Sequence, residues 1–121
     1  MGDISEHLSR SEVRCHCGNC NLDGADFVTV VLFEKIRKWL GDRAITITNW
    51  NRCPAHNARV GGSKNSYHLR SRAFDMYHPV YTPGEILVIL EKRIPNDFGI
   101  GTYPDKKFNH IDSGPFRRWR G

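Results

Sequence analysis

Residues 72–94 read RAFDMYHPVYTPGEILVILEKRI, and they set a strand directly before a helix. In RAFDMY (72–77) successive side chains alternate, so Ala73, Asp75 and Tyr77 fall on one side of an extended chain and Phe74 and Met76 on the other. From Thr82 the pattern changes. Thr82 suits an N-cap, Pro83 the first helical position, and Glu85 closes a capping box, so the run to Ile94 predicts a helix. Downstream, FGIGTY and KFNHIDS predict two strands joined at Tyr103-Pro104-Asp105-Lys106, where Pro and Asp favour a turn. Upstream, ADFVTVVLFEKIRKWL (25–40) has β-branched residues that would tolerate a strand, but its length favours a buried helix, with Gly41 as its C-cap. AITIT (44–48) predicts a short strand, and CPAHNARVGG (53–62) a brief helix with Pro54 near its start and Gly61-Gly62 after it. Residues 1–24, rich in Cys, Asn, Gly and Asp, predict an irregular opening segment. The expected architecture is an α+β domain, an antiparallel sheet with helices packed on one face.

A length of 121 residues is too short for two independent cores, so residues 1–121 are expected to form one domain. With 39% hydrophobic and 26% charged residues, the composition is that of a globular chain and excludes a disordered or fibrous one. Eighteen Lys plus Arg against thirteen Asp plus Glu leave a formal charge of +5, which favours an anionic partner such as nucleic acid or the acidic wall of a bacterium. No run of about 18 apolar residues exists to span a membrane. The polar start MGDISEHLSRSEVR carries no secretory signal, so the chain is expected to be made and folded in the cytoplasm. A monomer is expected.

Three polar residues stand where strands should be half buried. His68 opens HLRSRAFD, Asp75 lies seven residues later, and His110 lies on the last strand. Two imidazoles and one carboxylate form a donor set suited to catalytic zinc, with one position left for water. A ligand pair seven residues apart cannot share one helical face and fits a loop followed by a strand. By spacing alone, hydrogen-bonded core groups account for these three residues at least as well.

The stretch from Thr48 to Met76, TNWNRCPAHNARVGGSKNSYHLRSRAFDM, resembles the signature of zinc D-Ala-D-Ala carboxypeptidases and phage L-alanyl-D-glutamate endolysins, which share a hedgehog-like fold. The matching residues are Arg52, His56-Asn57, Gly61-Gly62, Ser66, His68, Ala73 and Asp75. GIGTYPDKKFNHIDSGPFRRW (99–119) resembles that family's closing motif, an aromatic residue ahead of a His-x-Asp strand and an Arg-Trp ending. The similarity runs from about Glu12 to Trp119. It implies zinc on His68, Asp75 and His110, with Arg52 reaching into the site to hold a carboxylate or oxyanion. It also implies substrate contacts at Ser66 and Tyr103, although Ser66 serves equally well as a turn cap. The implied activity is hydrolysis of peptidoglycan stem peptides. The implied setting is the cell wall, as with a phage lysin released by another protein or a virion part.

Two departures stand out. Where the family commonly has Gly, this chain has Ser71, and a positive φ there would cost on the order of 1 kcal/mol. Many relatives place Glu or Asp three residues before the last ligand, and here that position is Lys107. Asp112 shares a strand face with His110 and is taken as the general base, with orientation of His110 or ligation as its alternatives; Asp105 is weaker.

Cys15, Cys17, Cys20 and Cys53 suffice in number for a second, structural zinc site. Their Cys-x-Cys-x-x-Cys start departs from the usual knuckle spacing, and cysteines that pack, or pair outside the cell, are the preferred reading. His7 and His78 read as surface residues. In Arg117-Arg118-Trp119-Arg120, Trp119 is expected to pack against the domain and the arginines to be solvated. Two rival functions stand beside the peptidase: a zinc-stabilised nucleic-acid-binding module built on the cysteines and the positive charge, and a relative that keeps the metal without the chemistry.

Overall fold

The structure, a computed structural model, describes residues 2–121. Its elements run α1 (Arg10–Val13), α2 (Phe27–Trp39), β1 (Thr46–Asn49), α3 (Pro54–Arg59), a 3-10 turn (Tyr67–Arg70), β2 (Ala73–Tyr77), α4 (Pro83–Arg93), β3 (Gly99–Tyr103), β4 (Phe108–Asp112) and β5 (Arg117–Arg120). The α+β class stands. Helix α4 starts as expected, with Thr82 and Glu85 exchanging side-chain and backbone hydrogen bonds across its first turn. Helix α2 begins at Phe27 because the carboxylate of Asp26 accepts from the Thr29 N–H at 3.1 Å.

The five strands lie in the order β1-β2-β4-β3-β5. The first four pair antiparallel, whereas β5 joins the free edge of β3 in parallel and makes the sheet mixed. Strand β5 carries no signal in the sequence, because four residues with three arginines show no apolar alternation. Opposite faces of β5 nonetheless do different work. Arg118 turns to the helix side, donating to the carbonyls of Phe98 and Ile94 at 2.7 Å each and pairing with Glu91. This corrects the expectation of a solvated arginine. Trp119 lies over the other face, as expected of a packing residue.

The alternation in β2 carries through the sheet. Phe74 and Met76, with Ile100 and Ile111 from the neighbouring strands, meet Phe33, Ile36 and Leu40 of the α2 region and Ile86 and Leu90 of α4. At the centre Trp50 stacks on Phe74 with ring centroids 5.0 Å apart, and Phe33 stands edge-on to both. The opposite face bears one row in register, Asp75 of β2, His110 of β4, Gly101 of β3 and Trp119 of β5. Thus one face of the sheet is core and the other is available for chemistry.

Within the opening segment, α1 is a true turn of helix capped by Ser9 and Glu12; its Val13 is buried, as is Leu8 just ahead of the cap. The irregular 1–24 segment is therefore partly ordered, apart from Met1, which lies outside the described residues. Asn51 ties it down, its side-chain amide donating to the carbonyls of Val13 and Gly24 at 2.9 and 2.6 Å. His7 and His78 are not ordinary surface residues either. His7 Nδ1 meets Glu34 at 2.7 Å, and buried His78 accepts from the backbone N–H groups of Val80 and Tyr81, closing the turn into α4. No helix among the described residues is long and apolar enough to cross a membrane.

Candidate metal centre

His68, Asp75 and His110 come together on the open face of the sheet. One donor atom from each lies within 4.8 Å of the other two. His68 Nε2 and His110 Nδ1 stand 3.3 and 3.2 Å from the same oxygen, Asp75 Oδ1. Asp75 and His110 meet because β2 and β4 pair them directly across the ladder. His68 arrives from the 3-10 turn, and Ser71 makes the bend between that turn and β2 with φ +59°. The strain anticipated at Ser71 is therefore present, and it is offset locally. Its hydroxyl donates to Asn51, and its carbonyl accepts from Trp50 Nε1 at 2.9 Å.

The second nitrogens fix the rings. His68 Nδ1 lies 2.8 Å from the Trp50 carbonyl, which can only accept, so the lone pair sits on Nε2 and faces Asp75. Trp50 thus joins the two faces of the protein, its ring locked in the core and its carbonyl aiming a side chain of the site. His110 Nε2 lies 2.8 Å from Asp112 Oδ2, leaving Nδ1 toward Asp75. Asp112 is only 1% exposed and also accepts from the Gly114 N–H at 3.0 Å. Its carboxylate rests over Gly99, where an added Cβ would come within 2.4 Å of it; in the same way Gly101 leaves room for the Trp119 indole against His110.

The charges of the cluster depend on one another. Burial raises the Asp75 carboxyl, but with the facing nitrogens of His110 and His68 protonated, their hydrogen bonds and charge outweigh it and hold that carboxyl well below its usual range; a bound cation takes the place of those protons. For His110, burial disfavours the cation, yet Asp112 and then Asp75 raise its pKa. Burial likewise works against Asp112, and His110 with the Gly114 N–H reverses it.

A cation fits this donor set. An imidazole lone pair and a carboxylate oxygen 3.3 Å apart repel each other unless positive charge lies between them. Tetrahedral zinc with ligands at about 2.0–2.1 Å places neighbouring donors about 3.3 Å apart. The two imidazole-to-carboxylate separations have that size.

The cluster forms the floor of a cleft of about 610 Å³ whose walls include Arg52, Ser66, Tyr103, Arg117 and Trp119. Arg52 Nη2 lies 3.5 Å from Asp75 Oδ2, and Nη1 donates to Asn57 at 3.3 Å. Ser66 also caps the 3-10 turn, accepting from the His68 N–H at 3.2 Å. Tyr103 stacks on Phe108 and accepts from Trp119 Nε1 at 2.8 Å. Asp112 faces the far nitrogen of His110 and does not line the cleft; Asp105 stands in the exposed turn after β3. Sequence reasoning missed Arg117 and Trp119 as cleft walls, and missed the carbonyl of Trp50. The two glycines alternating in β3 were the available signal, since they mark where large side chains from neighbouring strands must lie.

A family model described as peptidase M15 matches residues 6–112. The chain belongs to the M15 peptidase family. This M15 chain is also 35% identical, over 63 residues, to a Haemophilus influenzae protein named "Probable peptidoglycan L,D-endopeptidase MepK". That match covers 50% of the present chain and 32% of the relative, so the chain spans about a third of that relative's length. The matched range takes in His68, Asp75 and His110.

The structure also gathers Cys15, Cys17, Cys20 and Cys53, whose sulphurs lie within 4.8 Å of one another. All four are free thiols. The Asn19 N–H, and after it the Cys20 thiol, pull the Cys17 thiol down to about 6, while the paired Cys20 thiol, lowered by the Leu22 backbone, is pushed up by Cys17 to about 12.

Proposed function

We propose that this chain is a zinc peptidase acting on the stem peptides of peptidoglycan, with His68 Nε2, Asp75 and His110 Nδ1 as the metal ligands. The observation that carries this reading is the lone pair of His68, pinned by the Trp50 carbonyl and aimed at a carboxylate that also faces His110. M15 enzymes are in general zinc-dependent. When bound, zinc supplies Lewis acidity to the scissile carbonyl and a nucleophilic water near neutral pH. The substrate class is supported by the relative's name and by two arginines, Arg52 and Arg117, in the cleft walls. Stem peptides carry free carboxylates that such a site attracts. An internal cut is preferred to removal of a terminal residue, following the same relative.

Each side chain has a task in this scheme. Asp112 accepts the hydrogen bond of His110 Nε2–H and so keeps the Nδ1 lone pair inward. Its oxygens are occupied by His110 and Gly114, which favours this orienting role over the general base first assigned to it. Asp112→Asn is expected to lower zinc affinity by about 10–100-fold, read by competition with a chelating dye. Unchanged affinity would remove the orienting role. Arg52 holds a substrate carboxylate or the developing oxyanion, Tyr103 and Trp119 form an aromatic wall, and Ser66 acts through its cap on the turn.

One observation favours a second reading, a metal-holding relative without turnover: among the described residues Asp75 is the only carboxylate lining the cleft. Mass spectrometry of muropeptides from purified sacculi separates the two. Zinc-loaded protein is expected to release new peptide fragments, and chelator-treated protein none. An internal cut splits cross-linked dimers, whereas a carboxypeptidase removes single terminal D-alanine. Zinc-loaded protein yielding neither product contradicts the peptidase.

A further inference from the structure

We propose that Cys15, Cys17, Cys20 and Cys53 hold a second, structural zinc ion that fastens the opening segment to the start of α3. This site is separate from the catalytic reading and does not depend on it. Four sulphurs from two distant stretches of chain lie within 4.8 Å of one another. Tetrahedral zinc with thiolates at about 2.3 Å sets its sulphurs about 3.8 Å apart, a spacing this cluster reaches with small side-chain adjustments. Cys17-Gly18-Asn19-Cys20 is itself a two-residue-spaced pair, and Gly18, with φ +77°, makes the turn that brings both thiols to one side.

The backbone is already arranged around charged sulphur. Asn19 N–H points at Cys17 Sγ from 3.3 Å, Cys53 N–H at Cys15 Sγ from 3.3 Å, and His56 N–H at Cys53 Sγ from 3.4 Å. Donors aimed at three of the four sulphurs stabilise thiolates, the form that binds metal. A thiol that merely packs as a small hydrophobe has no need of them, and only Cys15 is buried.

The location gives the ion a task. Cys53 is the N-cap of α3 and the immediate neighbour of Arg52. Asn57 of α3 accepts from the Arg52 guanidinium, so whatever fixes α3 fixes one wall of the cleft. On the other side, Cys15 continues from α1, which packs Val13 into the core. The clip therefore fastens a short amino-terminal turn and a six-residue helix, neither of which is long enough to hold itself in place.

The test uses the full chain, purified under reducing conditions and loaded with zinc. Two zinc ions per chain are expected, falling to one in Cys17→Ser, to one in His68→Ala, and to none in the double variant. Cobalt(II) replacement should give a thiolate-to-metal charge-transfer band that persists in His68→Ala and vanishes in Cys17→Ser. Cys20→His, which keeps a ligand, should retain two ions even if Cys17→Ser folds poorly. Removing the thiolate-held ion is expected to lower Tm by several degrees. Absence of the thiolate band in the wild-type chain, or thiols equally reactive with and without metal, would each overturn the site, whereas a single zinc that keeps the band and survives in His68→Ala supports it and contradicts the catalytic centre alone. Loss of peptidase activity with both ions bound bears on the catalytic reading alone.

Discussion

Asp75→Asn is expected to leave the protein without its catalytic metal and to lower kcat/KM on peptidoglycan by more than about 100-fold, beyond the range for losing an outer partner of a ligand. Asp75 is the hub of the cluster: one of its oxygens meets both imidazoles and the other meets Arg52. Asparagine keeps the size and can still accept a hydrogen bond, but it removes the negative charge that offsets a divalent ion. Metal content by elemental analysis, with circular dichroism as the check on folding, reads the outcome. His68→Ala should behave alike, whereas a zinc count in Asp75→Asn equal to that of the wild type, with undiminished turnover, would contradict the ligand set.

Arg52→Ala is expected to lower kcat by roughly 10²–10³-fold while zinc stays bound, the size seen when one donor to a developing oxyanion is removed. Arg52→Lys should recover part of this, since an ammonium keeps the charge but not the planar fork. The alternative is that Arg52 serves Asp75 alone. In that case the loss would fall on metal affinity, and kcat at saturating zinc would return to the wild-type value. Steady-state kinetics at two zinc concentrations distinguish the cases.

Local signals were legible wherever the chemistry was local. The Thr82-Pro83-x-Glu85 cap marked α4, the alternation of RAFDMY marked β2, and the Pro-Asp turn marked the hairpin of β3 and β4. The three site residues were legible by donor type and by resemblance, and the fold brings them together. What escaped was long-range. Strand β5 exists because the free edge of β3 offers a ladder to residues 117–120, and three arginines in four residues disguise it. The gathering of the four cysteines was not legible because Cys53 is separated from the other three by α2 and β1, and spacing cannot reveal such a closure. That Asp112 and His110 share a face followed from strand alternation. Which imidazole nitrogen Asp112 takes follows from ring orientation, a property no spacing encodes.

Diffraction from crystals of the zinc-loaded protein at the zinc absorption edge tests the central claim most directly. An anomalous peak is expected within about 2.0–2.2 Å of His68 Nε2, an Asp75 oxygen and His110 Nδ1 together. Density at full zinc loading that leaves these three atoms without a shared peak would contradict the account.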